Sequence, residues 1–403
     1  MHIGAPAVPT VKVGDIVSIG DKIAEGGGFV SVPMHASISG KVTKLTEVQL
    51  SSGAKCPAVV IESDGEWRVS DSIAPPTVTD RDSLLLAIRE SGVVGLGGAG
   101  FPTHVKLAAD PARIEELIIN GAECEPYITS DTYTMLTRVK DIERALRAFS
   151  KYFGIKKIII AIENNKKGAI AAMREMAERI DGVSVCVLPS LYPQGGEKVL
   201  IYNTTGKIVP TGKLPIDVGS VVCNCTTVAA IGKYLESGMP LVSKCVTVDG
   251  AAVKVAQNVI VPIGTAIGDV FEFCGGFNEA SRKVLYGGPM MGISVPALNL
   301  PVLKNTNALL ALTDREVKTP KTTECIRCGA CINTCPFGLA PAKIAKAYKM
   351  RDAAALTELS VDTCMLCGCC SFTCPANRPL VQTNSLAKQF LREEKAKEAN
   401  KNG

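Results

Sequence analysis

Two stretches near the C-terminus of this 403-residue sequence repeat one pattern, "CIRCGACINTCPFGLAP" and "CMLCGCCSFTCPANRP". The first places Cys325, Cys328, Cys331 and Cys335, the second Cys364, Cys367, Cys370 and Cys374, each in the spacing C-x2-C-x2-C-x3-C-P. Nine of the sixteen cysteines lie between 325 and 374. The N-terminus "MHIGAPAVPTVKVGD" has no charged segment followed by an apolar one, so a secretory signal is not expected. The most apolar runs, such as "IIIAI" at 158–162, are too short to cross a bilayer. The expectation is a soluble or peripherally bound protein in a reducing cytoplasm, where thiols at this density mean metal or redox chemistry before disulfides.

The spacing is that of bacterial ferredoxins with two [4Fe-4S] clusters, in which the fourth cysteine of each run serves the other cluster. One cluster is thereby assigned to Cys325, Cys328, Cys331 and Cys374, the other to Cys335, Cys364, Cys367 and Cys370. Three thiolates in a tight loop cap one face of a cubane, and the Pro after the fourth turns the chain away. Gly329 and Gly368 let backbone N–H groups approach the sulfurs. Zinc sites commonly use two separated C-x2-C knuckles, unlike these runs. Cys369 breaks the register and is expected to be a small packed thiol. The helical segment "APAKIAKAYKMRDAAALTEL" between the runs suggests an α-helical ferredoxin domain over 315–380. The charged end, 381–403, reads as a solvated helix that frays.

The remainder is globular in composition, 46% hydrophobic and 21% charged. A net charge of +5 and 5% aromatic residues offer no case for nucleic-acid binding. Residues 1–70 read as short strands broken by Gly-Asp turns, similar to biotinyl and lipoyl carrier domains but without a carrier-lysine hairpin. Over 80–236 amphipathic helices such as "VKDIERALRAFSKYFG" alternate with buried strands such as "KKIIIAIEN", which argues a Rossmann-like α/β layer with a parallel sheet. Residues 238–302 return to β with one helix near "GTAIGDVFEFCG". The fold class expected is therefore multidomain α/β plus β.

Within "GVVGLGGAGFPTHVKL", Gly95, Gly97 and Gly100 satisfy G-x-G-x-x-G. A dinucleotide-binding turn requires a strand before these glycines and a helix opening on them. Here "RDSLLLAIRES" before them reads as a helix and Pro102 follows closely, so the Rossmann context fails.

Four motifs in order carry a resemblance. "GLGGAGFPTHVK" resembles the flavin-binding loop of the NADH-binding subunit of respiratory complex I. "NGAECEPY", "YPQGGEK" and "CNCTTVAAI" are similar to that family's later segments. With "HIGAPA…VKVGD…ASISGKV" at the start and the double cysteine run at the end, residues 1–378 resemble the RnfC family, which belongs to the Rnf complex, a membrane ferredoxin:NAD+ oxidoreductase. The resemblance implies a barrel-sandwich domain, an FMN/NADH α/β domain, a soluble-ligand-binding (SLBB) β-grasp domain and an α-helical ferredoxin domain. Two departures stand out: the sequence begins almost at "HIGAPA", and Gly196 replaces the first Glu of the complex I pair.

Roles follow from the resemblance. Gly95, Gly97, Gly98 and Gly100 would cradle the FMN phosphate through N–H groups, with Lys106 adding charge. Asn120, Asn224 and Thr227 would bond flavin or phosphate. Glu123, Glu125 and Glu197 would line a nicotinamide cavity, and Tyr192, Gly195, Gly196 and Lys198 of "YPQGGEK" count among the cofactor-binding residues. No acid or base is assigned, because hydride transfer at a flavin needs stacking geometry. The expected activity is electron movement between two [4Fe-4S] clusters, FMN and NAD(H). Expected partners are the other Rnf subunits, including a ferredoxin-like and integral membrane subunits, with ferredoxin reached indirectly, at the cytoplasmic face of the membrane. A soluble reductase for another acceptor and a non-catalytic Fe-S relay are the alternatives.

Overall fold

The computed structural model describes residues 2–49, 53–318 and 320–401. They form two compact units, one of residues 1–207 and 215–317 and the other of residues 208–214 and 318–403.

The larger unit begins with six strands: β1 (Val8–Pro9), β2 (Ile16–Val17), β3 (Lys22–Glu25), β4 (Met34–His35), β5 (Gly40–Gln49) and β6 (Lys55–Ser63). They pair as two three-stranded sheets, β1-β3-β4 and β2-β5-β6, around a small core of Val17, Ile23, Ala36 and Val42. Two sheets sharing so few buried side chains make a barrel-sandwich module.

Next come α1 (Arg81–Glu90), α2 (Thr103–Leu107), β7 (Glu116–Gly121), α3 (Ser130–Thr137), α4 (Val139–Phe153), β8 (Ile158–Glu163), α5 (Lys167–Ala177), β9 (Val183–Leu188), α6 (Glu197–Thr205), β10 (Ser220–Asn224) and α7 (Cys225–Ser237). The Asp80 carboxylate caps α1 in a reciprocal box with Ser83. Helix α4 buries Ile142, Ala145, Leu146, Phe149 and Phe153 along one stripe, and left-handed Gly154 ends it. Each large side chain on that stripe contributes about 1.5–3 kcal/mol by leaving water. All six residues of β8 are buried, as a parallel strand covered on both faces requires. The sheet is wholly parallel, ordered β10-β7-β8-β9.

The third part holds β11 (Ser243–Asp249), β12 (Gln257–Pro262), α8 (Ile267–Phe273), β13 (Lys283–Tyr286), β14 (Ile293–Ser294) and β15 (Ala308–Leu312). Its sheet runs β12-β11-β15-β13-β14. Strand β15 lies beyond the boundary expected at 302: fully buried, it pairs parallel with β11 and antiparallel with β13. Its run "ALLAL" follows a polar stretch without alternation, so periodicity does not mark it as the middle of a sheet.

The smaller unit contains α9 (Ala330–Asn333), α10 (Pro341–Lys349), α11 (Ala353–Glu358), α12 (Cys369–Phe372) and α13 (Leu380–Lys401). Here too the structure differs from the expectation. Instead of a solvated tail from 381 onward, α13 lays Ala387 and Leu391 into a core with Ile344, Leu356 and Val361. Charged residues dominate its composition, but the few apolar ones are spaced four apart and meet α10 and α11.

Candidate functional site

In the parallel sheet the chain runs β7, β8, β9 to one side and then places β10 on the other side of β7. The strand order reverses between β7 and β10, and in open α/β sheets ligands bind at the carboxyl ends of strands flanking such a reversal. Asn120 and Asn224 are register partners at those ends. Two motif residues far apart in sequence thus become neighbours.

Both side chains are held. Asn120 Nδ2 donates to Gly195 O at 3.0 Å, and its Oδ1 accepts from Ala122 N at 3.0 Å. Asn224 caps α7, its Oδ1 accepting from Thr226 N and Thr227 N, while Nδ2 donates to Asp131 Oδ2 at 2.8 Å. The positive end of the α7 dipole therefore opens on the crevice.

The glycine loop joins α1 to the five-residue α2, with no strand leading into it. Gly95 N donates to Phe101 O at 2.9 Å, and Leu96 N donates to Thr227 Oγ1 at 2.9 Å. Thr227 thus anchors the loop. A Cβ at Gly97 would lie 2.7 Å from Asn224 Cγ, so only glycine allows this approach. Gly100 adopts φ +71°, where a side chain is strained. Among the described residues the N–H groups of Gly97, Gly98, Ala99 and Gly100 have no intramolecular acceptor, and Gly97, Gly98 and Ala99 are exposed. Free donors beside a helix N-terminus fit the phosphate of FMN.

The charged candidates are less free. Lys106 Nζ donates to Glu197 Oε1 at 2.8 Å and to Val222 O at 3.0 Å. Burial pulls the ammonium pKa down, but the Glu197 charge outweighs it and the net shift is upward. Glu123 accepts from Asp131 N, Thr132 N and Thr132 Oγ1, and pairs with Lys166 at 3.4 Å. Burial and the Asp131 charge push its carboxyl up to about 7. Glu125 accepts from Met290 N at 3.0 Å and Met291 N at 2.7 Å, clamping the turn between β13 and β14. Burial raises its carboxyl despite those two donors. All three acids expected to line a nicotinamide cavity therefore have partners within the protein.

Tyr192 precedes a cis Pro193, and Gly196 is the N-cap of α6, which begins at Glu197 and includes Lys198. Gly195 N donates to Cys124 Sγ at 3.3 Å. Burial pushes the thiols of Cys124 and Cys223 up to about 11, so both stay protonated and act as packing.

Three residues that sequence reasoning missed also hold the loop. Lys244 Nζ donates to Leu96 O at 3.2 Å. Lys304 Nζ donates to Gly92 O at 2.6 Å and Pro33 O at 3.1 Å. Asn305 Nδ2 donates to Gly98 O at 2.9 Å. No local motif surrounds them, and the immediate neighbours, Ser243 and Cys245 for Lys244 and Leu303 and Asn305 for Lys304, give no signal.

In the smaller unit the two cysteine runs repeat in backbone as well as in sequence. Arg327 and Gly329 flank Cys328 at φ +58° and +79°; Leu366 and Gly368 flank Cys367 at φ +61° and +85°. Left-handed residues on both sides of a cysteine turn successive N–H groups toward one point, a nest suited to an anionic cluster. Cys335, Cys364, Cys367 and Cys370 line one cavity together with Leu339 and Leu366. Burial first, then the neighbouring Cys364, Cys367 and Cys335, push the Cys370 thiol up to about 12, a penalty that a metal group bound to the sulfurs removes. Cys331, Cys374 and Val381 pack against a small core of Ala345, Cys370 and Leu380, while Cys325 is half-buried and Cys328 exposed. Cys369 is buried and forms part of the cavity wall. Among the described residues no three His, Cys, Asp or Glu side chains stand close enough to hold a single metal ion. The donor set fits [4Fe-4S] clusters: Cys335 shares a cavity with the second run, and Cys374 packs in one small cluster with Cys331 and Cys370.

Family models match in the same order along the chain. They are the RnfC barrel sandwich hybrid domain at 1–66, the Nuo51 FMN-binding domain at 88–233, the SLBB domain at 245–294 and a 4Fe-4S dicluster domain at 321–383. The C subunit of the Na(+)-translocating ferredoxin:NAD(+) oxidoreductase complex of Acetobacterium woodii is 42% identical over 356 residues, covering 87% of this chain and 80% of the relative. The chain belongs to the RnfC family. Its members include the C subunit of the proton-translocating ferredoxin:NAD(+) oxidoreductase complex of Clostridium ljungdahlii, 43% identical over 349 residues and covering 85% of this chain and 76% of that one. The C subunit of the ion-translocating oxidoreductase complex of Rhodobacter capsulatus is 39% identical over 402 residues, covering 98% and 78%. The air-oxidised NAD+-reducing [NiFe]-hydrogenase shares the fold with a TM-score of 0.51 at 21% identity. That match covers 77% of this chain and about half, 53%, of the hydrogenase chain. Among the described residues no helix is long and apolar enough to cross a membrane.

Proposed function

We propose that this RnfC-family protein works as the NAD(H)-reacting subunit of a ferredoxin:NAD+ oxidoreductase complex. The observation that carries the reading is the set of free N–H groups from Gly97 to Gly100 beside the N-terminus of α7 at the sheet reversal, in a chain that also holds a dicluster domain. FMN supplies the chemistry that couples the hydride of a nicotinamide to the single electrons of [4Fe-4S] clusters. The free N–H groups between Gly97 and Gly100 hold its phosphate, whereas Gly95, expected to join them, spends its N–H on Phe101 O and closes the loop instead; Asn224 and Thr227 fix the loop, and Asn120 fixes the segment from Tyr192 to Gly196. Lys106 and Glu197 form one charged pair beside the crevice, while Glu123 and Glu125 brace α3 and the β13–β14 turn around it. Cys325, Cys328, Cys331 and Cys374 hold one cluster; Cys335, Cys364, Cys367 and Cys370 hold the other. Partners are a ferredoxin-like subunit and integral membrane subunits at the cytoplasmic face, and ion translocation belongs to that assembly.

Anaerobic reconstitution with FMN, iron and sulfide tests the reading. NADH should bleach the flavin absorbance and then reduce the clusters, seen as an S = 1/2 electron paramagnetic resonance signal. A reconstituted chain that keeps its clusters and bound FMN but shows no bleaching by NADH would be a relay, and the NAD(H) assignment would fail.

A further inference from the structure

The glycine loop is shaped from behind. Leu96 O is tied to Lys244 Nζ, Gly98 O to Asn305 Nδ2 and Gly100 O to Ile3 N, at 3.2, 2.9 and 3.0 Å. In a trans peptide the C=O and the following N–H point in opposite directions. Tying back these alternate carbonyls sends the N–H groups of Gly97, Ala99 and Phe101 the other way, and none of the three has an intramolecular acceptor among the described residues. Lys304 fixes the start of the loop by bridging Gly92 O to Pro33 O of the barrel-sandwich module.

Both lysines are unusual in their burial. Lys244 is 5% exposed and Lys304 2%, and among the described residues neither forms an ion pair with a carboxylate. A buried ammonium without a counter-charge is strongly disfavoured. The groups facing Lys304 are His35 and His2 from the barrel-sandwich module. Burial, with the Lys304 charge behind it, drives His35 down to about 3, so His35 stays neutral and offers no opposing charge. Lys244 faces Asp131 from α3 and its own neighbour Cys245. The Asp131 carboxylate is already bonded by Asn224 Nδ2 and Thr226 Oγ1, and Cys245, with Asp131 and Glu123 nearby, is held neutral by burial.

We propose that Lys244 and Lys304 are positioning residues of the flavin site, turning its loop toward the ligand and supplying buried positive charge that the phosphate of the flavin matches. The proposal rests on the assignment of FMN to this loop. Burial lowers Lys304 to about 7 and Lys244 to about 8, so both are partly neutral in the flavin-free chain above neutral pH. An arriving dianion raises both, and binding then takes up protons as pH climbs above about 7. Affinity falls by at most about tenfold per pH unit for each proton taken up. The phosphate itself is ionised below this window, with its second pKa at about 6.

The test uses the whole flavin-free chain, titrated with FMN and with riboflavin from pH 7 to 9.5 by fluorescence quenching. The FMN dissociation constant is expected to rise at least about tenfold over this range, while that of riboflavin, which lacks the phosphate, changes less than about twofold. K244M and K304M are expected to weaken FMN by about tenfold or more at pH 7 and to leave riboflavin within about threefold. K244R and K304R, charged at every pH used, should flatten the pH response and bind FMN more tightly than the parent at pH 9. Parallel pH responses of the two flavins in the parent chain refute the proposal without any variant. So do methionine variants that weaken both flavins equally, since a merely structural lysine would act that way. Failure of the parent to bind either flavin at any pH refutes the FMN assignment itself.

Discussion

Replacing Gly97 by alanine probes the contact on which the loop is built. Gly97 needs no left-handed backbone, so the substitution acts through space alone. The added Cβ would fall 2.7 Å from Asn224 Cγ and closer still to its Nδ2, where at least a few tenths of an ångström must be recovered. Asn224 cannot retreat freely, because it caps α7 through Thr226 N and Thr227 N at 3.0 and 3.2 Å and reaches Asp131 at 2.8 Å. Losing an N-cap is worth about 1 kcal/mol, and a hydrogen bond to a charged partner about 1.5–3 kcal/mol. Partial loss of both gives about 2 kcal/mol. If the loop moves away from Asn224 instead, a similar penalty appears in flavin binding, about thirtyfold in affinity. The assay pairs a thermal midpoint of the flavin-free chain with an FMN titration. G98A is the control, since a Cβ there meets nothing within 4 Å, and its flavin-free midpoint should match the parent. Should G97A match the parent in both midpoint and FMN affinity, the Gly97–Asn224 contact does not set the cradle.

Further outcomes follow from other parts of the molecule. Cross-ligation predicts that the double variant C325S/C374S keeps about four irons per chain, because both changes strike one cluster, whereas C364S/C374S keeps almost none; iron analysis giving the opposite pattern refutes the assignment. Glu123, held up to about 7 by burial and Asp131, binds its proton more tightly folded than unfolded. Its stabilising contribution is therefore complete below the ordinary glutamate range and lost as pH rises through about 7. E123Q removes that loss, so its thermal midpoint should gain on the parent between pH 5 and pH 8; a difference independent of pH would contradict the cause given for the shift. Leu391, 2% exposed on α13, should cost about 2–5 kcal/mol when cut to alanine, while L386A at a half-exposed position should be nearly silent. Equal and negligible effects of both on proteolytic resistance would return α13 to a solvated tail.

Much of the chemistry was legible without coordinates because it depends on local spacing. The cysteine runs offer a candidate ligand set by counting residues, and the failure of the Rossmann context at Gly95–Gly100 was visible in the helical "RDSLLLAIRES" before it. The alternation over 80–236 announced a parallel sheet through β8, apolar from Ile158 to Ile162. Other features had no local signature. Strand β15 is a short apolar run that only its pairing with β11 and β13 turns into the centre of a sheet. The resemblance sets Glu125 at a nicotinamide cavity, yet it is Met290 N and Met291 N that it serves.

By itself the sequence determined what is covalent or close to it: two runs of thiols with left-handed turns built into their glycines, and four motifs in a set order. The tertiary structure alone decided which distant groups share a volume. The β10-β7 reversal brought Asn120 beside Asn224, and folding of the β-grasp sheet carried Lys244, Lys304 and Asn305 onto carbonyls of a loop more than a hundred residues earlier. A buried ammonium leaves no mark on its neighbours in sequence, because its partners are backbone oxygens, and any residue type can provide those.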